Sequence, residues 1–256
     1  MRKLIKFRSI ISFTLIFVLL FNLVALDSQA RKDQSNPEFG NGMMNIDKNK
    51  RNEPKNKFPK AKDEPVELKT KRKSNVKEYV NPDGTFTLEV SQKPVHYKDN
   101  RGHWQEIDNT LIESQKNGYK YENKENAFKV RFADNNELNH LVDFSLDEDH
   151  WISFSPVGKF NTKGVVTDST IEYKNFQPGM DLRYILDSDK LKEEIILSKI
   201  PKTNIFEFDL EYEGFTFEKD EEGIIWAKSA TTGEIEFFFQ KSFAEDANGD
   251  ITFDAV

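Results

Sequence analysis

Cysteine is absent from the 256 residues, which excludes disulfides, thiol catalysis and thiolate-bound zinc. Stability must therefore come from packing, and a secreted chain without disulfides needs a core of moderate size. Histidine is scarce: His96, His103, His140 and His150 stand apart, with no H-x-H pair, no H-E-x-x-H and no other close ligand spacing. That spacing offers no metal site or acid/base pair. There is no G-x-S-x-G elbow, no phosphate-binding glycine loop and no dinucleotide fingerprint, so neither a serine hydrolase nor a nucleotide cofactor is expected. Long amphipathic helices are lacking too, and residues 136–142 form the one short helix candidate.

What is present is apolar mass and charge. Hydrophobic residues make up 37% and charged residues 32%, with 22 Phe, enough for an aromatic core in one large or two small domains. The one long hydrophobic run is N-terminal. Arg2, Lys3, Lys6 and Arg8 precede an apolar stretch over residues 10–26 broken by Ser12, Thr14 and Asn22, and Ser28-Gln29-Ala30 follows. Positive flank, apolar centre and small residues together read as a secretory signal peptide over residues 1–30, cleaved after Ala30. An uncleaved anchor is the alternative, because the run approaches the ~20 residues that span a bilayer.

Charge is unevenly spread. The net charge of −7 becomes −10 without residues 1–30, which carry four basic side chains and Asp27. Residues 31–77 hold 14 Lys plus Arg against 7 Asp plus Glu, leaving −17 on the remainder. Without an apolar period, residues 31–78 are expected to be a disordered basic linker. Its lysines suit electrostatic contact with anionic cell-wall polymers or lipid head groups, but a plain solvated spacer is the expected reading. The acidic remainder argues against a nucleic-acid partner.

Residues 79–256 change to short alternating runs with turn dipeptides. Phe86, Leu88 and Val90 share one strand face. Residues 95–97 and 103–107 read as a hairpin around a five-residue loop. Further strand-length runs fall at 127–132, 151–154, 170–176, 181–186, 191–197, 205–211 and 215–219. Three more follow Glu222-Gly223, Thr232-Gly233 and Asn248-Gly249. This spacing predicts an all-β, antiparallel β-sandwich-like fold, as one domain or as two sub-domains near 79–160 and 161–256. A last strand at the chain end leaves a sheet edge open, and truncation is the expected explanation.

The polar residues allow few constellations. Asp147-Glu148-Asp149 and Asp220-Glu221-Glu222 read as loop charges, while Glu193 shares strand parity with Leu191, Ile195 and Leu197. Glu193 is therefore expected to meet a semi-buried partner such as an arginine. Asp246-Ala-Asn248-Gly-Asp250 begins like a calcium loop, but Ile251 stands where the loop needs glycine, so a hairpin turn is expected. Trp104, Trp151 and Trp226 would form a sugar platform if exposed together, and would be structural if buried between sheets.

The order of several phrases carries a resemblance. Asn81-Pro-Asp-Gly-Thr-Phe-Thr, then Pro94-Val-His-Tyr-Lys-Asp and Trp104-Gln-Glu-Ile-Asp-Asn-Thr-Leu, are followed by Gln177-Pro-Gly-Met-Asp-Leu-Arg-Tyr and Leu191-Lys-Glu-Glu-Ile-Ile-Leu. Together with the Asp246 segment, this resembles the N-terminal region of Gram-positive wall-associated RHS/YD-repeat proteins. In that family such a region precedes long YD-repeat shells and a variable C-terminal toxin. The resemblance implies a secreted, wall-associated, non-enzymatic β module for surface presentation, with the remainder of such a protein as partner. The alternative is an independent carbohydrate-binding or hydrolytic wall protein. Neither reading calls for a cofactor or metal, and no catalytic residue is assigned.

Overall fold

The computed structural model describes residues 3–10, 16–23, 63–135, 140–201 and 205–253. Ala30 and its cleavage site lie outside the described residues, as do most of the expected linker and residues 136–139 of the helix candidate.

The strands run in chain order as β1 Lys3–Ile10, β2 Ile16–Leu23, β3 Val66–Glu67, β4 Val76–Val80, β5 Phe86–Val90, β6 His96–Lys98 and β7 Trp104–Glu106. They continue as β8 Asp108–Glu113, β9 Tyr121–Glu125, β10 Lys129–Phe132, β11 Val142–Ser145, β12 Trp151–Pro156, β13 Val165–Thr167 and β14 Thr170–Gln177. Next come β15 Met180–Leu186, β16 Lys190–Leu197, β17 Ile205–Glu213 and β18 Phe215–Lys219. The last are β19 Ile225–Ser229, β20 Ile235–Phe239, β21 Phe243–Glu245 and β22 Ile251–Thr252.

Two large antiparallel sheets face one another. The first has the order β1-β17-β12-β11-β10-β9-β8; the second runs β13-β14-β15-β16-β2-β20-β19-β18, with β21 and β22 attached beside β2. Alternation explains both. In β10 and β11, Val130, Phe132, Val142 and Phe144 point inward and are buried, while Lys129, Arg131, Asp143 and Ser145 point out. β15 does the same with Met180, Leu182, Tyr184 and Leu186. Aromatic rings close the seam: Phe144 meets Phe237 of the opposite sheet at 5.3 Å between centroids, and Phe132 meets Tyr184 at 5.5 Å. The fold is the all-β sandwich-like one that the alternation predicts. Because β17 pairs with β12, the sheets do not divide near residue 160.

One expectation changes and two others are extended. Residues 63–78, placed in the disordered linker, carry β3, a 3-10 turn at Lys69–Lys71 and the start of β4. A few contacts hold this polar stretch: Arg72 forks onto both oxygens of Glu67 at 2.6 and 2.7 Å, Leu68 is buried, and buried His96 Nδ1 lies 2.8 Å from the Lys73 carbonyl. Phe86, Leu88 and Val90 do share a face, but one that is exposed, since β5 edges a separate three-stranded sheet, β3-β4-β5. Finally, residues within the expected signal peptide form β1 and β2, which pair with β17 and with β16, β20 and β21.

The expected hairpins form at β6–β7 and around Asn248-Gly249. In the second, Asp246 Oδ1 accepts from the backbone N–H of Asn248 at 2.8 Å and Asp250 at 3.0 Å, so the calcium-like residues cap a turn. A tighter corner joins β17 to β18 at Gly214, where φ is +81° and an added Cβ would sit 2.3 Å from the Asp149 carbonyl oxygen. Gly214→Ala is expected to cost ~2 kcal/mol or more, read as a lower urea midpoint.

Candidate functional site

The outward residues of the first sheet line up by register. Arg131 pairs with Glu122 of β9 and Asp143 of β11, Asp143 with Ser153 of β12, and Ser153 with Glu211 of β17. One level along, Lys129, Ser145, Trp151 and Glu213 form a second row. Neighbouring strands lie about 4.8 Å apart, so each row is a polar ladder crossing four or five strands. An ordinary outer face would leave it in water. Here Asp143 and Ser153 are each 3% exposed, because Lys116 and Tyr119 wall one side and Leu146, Asp147 and Glu148 another, enclosing a cleft of about 600 Å³.

The floor is tightly bonded. Arg131 Nη1 donates to Asp143 Oδ2 at 2.7 Å and to Ser145 Oγ at 3.2 Å, and Lys116 Nζ reaches the same Asp143 oxygen at 3.3 Å. Ser153 Oγ donates to the Val142 carbonyl at 3.0 Å and lies 3.1 Å from His140 Nδ1; His140 Nε2 stands 3.9 Å from Glu211 Oε2. The sequence Ser153–His140–Glu211 has the order of a nucleophilic relay, but its hydroxyl proton is already given to Val142 and the His–Glu gap exceeds a hydrogen bond. Burial pushes the Tyr119 hydroxyl up from its ordinary value, partly offset by Ser153 at 3.5 Å. At the rim, burial would raise the Asp147 carboxyl, yet hydrogen bonds from His150 and the Asp149 N–H hold it below the ordinary value.

The cleft thus offers one indole and one phenol, Trp151 and Tyr119, beside hydrogen-bonding groups locked in position. Such a surface suits a neutral, hydroxyl- or amide-rich ligand better than a naked ion. Among the described residues no cluster of three or more His, Asp or Glu is arranged to hold a metal.

Other expected site residues are scattered. The three tryptophans do not form a platform: Trp104 lies under Lys98 in the β6–β7 hairpin, and Trp226 packs on Phe238 in the second sheet and donates to Asp220 Oδ2 at 2.8 Å. Only Trp151 faces the cleft. Glu193 is fully buried and meets no arginine among the described residues; Arg183 instead pairs with Glu194 and Glu172, each at 3.1 Å. Parity placed Glu193 inward correctly, but an inward position puts it opposite Tyr184 rather than a cation. Sequence reasoning missed Arg131, Asp143, Ser153 and Glu211, whose signal was polar residues at alternate positions of consecutive strands.

No protein-family model matches the chain, and no solved structure matches. Among curated proteins, the chain is 26% identical to the tRNA3(Ser)-specific nuclease WapA of Bacillus spizizenii over 97% of its length and 11% of that protein. The tRNA nuclease WapA of Bacillus subtilis matches at the same identity and the same coverage. A wall-associated protein of Geobacillus stearothermophilus is 29% identical, over 75% of this chain and 79% of that one. The chain therefore spans about a tenth of the length of the nucleases it matches. These names stand against the expectation of a non-enzymatic module and against the exclusion of nucleic acid: the similar proteins are named as tRNA nucleases, and this chain covers 11% of each. The chain is similar to WapA proteins of Bacillus and to a wall-associated protein of Geobacillus, and its location is secreted and cell-wall-associated.

Proposed function

We propose that the cleft over β10, β11, β12 and β17 is the surface by which this exported β region engages a saccharide of the cell wall. The observation that carries this reading is Trp151 and Tyr119 beside the part-buried Arg131–Asp143 pair in a cleft of about 600 Å³. An aromatic ring takes the apolar face of a sugar, and fixed donors and acceptors take its hydroxyls. The remaining assignments are proposals as well: removal of residues 1–30 after Ala30, a basic linker beginning at Arg31, and the RHS/YD-repeat character supported by the ordered phrases from Asn81 onward.

The test is sedimentation of the secreted chain with purified Gram-positive walls across a salt series. Trp151→Ala is expected to weaken binding about 30-fold, the cost of truncating an aromatic anchor. Loss of binding at high salt, with Trp151→Ala without effect, would assign attachment to the lysines of residues 31–77 and defeat the cleft reading.

The second reading is the activity printed in the names of three relatives. Lys116, Lys129, Arg131 and His140 are the cleft groups that would meet a phosphate backbone. Cleavage of tRNA by the purified chain, lost in His140→Ala, would establish it.

A further inference from the structure

The segment Ile16–Leu23 fills a complete strand position. Its backbone pairs with Lys190–Ile195 of β16 on one side, and with β20 at Phe237–Phe239 and β21 at Phe243–Glu245 on the other. It stands between β13–β16 and β18–β20 in the sheet order. The same residues are the apolar centre of the expected signal peptide. Their removal opens two facing strand edges, each with a row of unmet N–H and C=O groups. The core residues Leu191, Ile195 and Phe237 stand on those edges.

A second observation lies in the wall of the same slot. Glu193 is wholly buried, in register with Tyr184 on one side and with Leu19 on the other. Among the described residues, neither of its carboxyl oxygens makes a well-formed hydrogen bond, and neither does the Tyr184 hydroxyl. Leucine has nothing to donate. An unpaired buried carboxyl is costly, and the position opposite it is where a basic side chain on an adjoining strand would satisfy it.

We propose that the exported chain is a strand acceptor. The position held by Ile16–Leu23 takes an extended segment of a partner polypeptide, apolar at alternate residues and carrying lysine or arginine opposite Glu193. Main-chain hydrogen bonds to β16, β20 and β21 supply the general attraction, and the Glu193 pair supplies the selectivity. The inference rests on the export reading, in which residues 1–30 leave.

The test uses the chain as secreted by a Bacillus host, with its N-terminus fixed by intact mass. Two peptides are titrated, each with a solubilising tail: one of sequence Ile16–Leu23 and one with Leu19→Lys. The expected result is a mass beginning at Arg31 and slowed hydrogen exchange in Lys190–Leu197 and Ile235–Phe239 with either peptide. The lysine peptide binds at least about tenfold tighter, and Glu193→Gln abolishes that difference while exchange protection stays. A mass retaining residues 1–30 defeats the removal reading and the proposal together. A mass beginning at Arg31 with no protection by either peptide defeats the proposal alone, and equal binding of the two peptides defeats the basic-residue requirement.

Discussion

Glu193→Gln is expected to stabilise the chain that retains residues 16–23 at pH 9 by several kcal/mol, and to change it little at pH 5. Burial raises the Glu193 carboxyl from 4.5 to about 8, outweighing the opposing effect of Tyr184. The folded chain therefore holds a proton that the unfolded chain releases above the ordinary carboxylate value. For an acid raised in this way, stability is full below the unfolded value and falls as pH rises toward the folded one. The slope is at most about 1.4 kcal/mol per pH unit, and it levels off above pH 8. Glutamine keeps the shape and loses the titration. Urea unfolding of both chains from pH 4 to 9 measures it: the difference between them should grow through that window, and parallel curves would show that Glu193 is not buried as a neutral acid. Once β2 is gone, water reaches the carboxyl and the difference should shrink.

Phe144→Ala is expected to lower stability by about 3–5 kcal/mol, the range for removing a fully buried aromatic side chain. Phe144 is 0% exposed and sits at the seam, 5.5 Å from Phe128 of the turn between β9 and β10 and 5.3 Å from Phe237 of the other sheet. Truncation leaves a cavity between layers that close-packed neighbours cannot fill. Phe86→Ala serves as the contrast: with 53% of its surface exposed, the change should stay within about 0.5 kcal/mol. Equal urea midpoints for the two variants would mean that the sheets are not packed on each other as described.

Where inward residues were apolar and outward ones polar, the sequence was legible. β10, β12 and β14–β20 lie within a few residues of the runs at 127–132, 151–154, 170–176 and onward, because a strand's alternation is written in the strand itself. β8 and β9 went unseen: Asp108–Glu113 and Tyr121–Glu125 are polar at most positions and bury little besides Leu111 and Asn123. β4 was hidden by the lysines around it, since composition averaged over a long segment conceals Val76 and Val80. The apolar run at residues 10–26 fits a signal peptide and a strand equally well, because hydrophobicity alone does not say which environment receives it.

The absence of thiol chemistry, the all-β class, the facing of most strands and the inward position of Glu193 follow from the order of residues alone. Strand register brings Arg131, Asp143, Ser153 and Glu211 into one row, lets Trp151 alone of the tryptophans reach the cleft, and leaves Glu193 without a cation among the described residues. The physical reason is one of range. Alternation is a property of neighbours in the chain, whereas register sets side by side residues dozens of positions apart, and a polar side chain on an outer face is covered only when distant loops rise beside it.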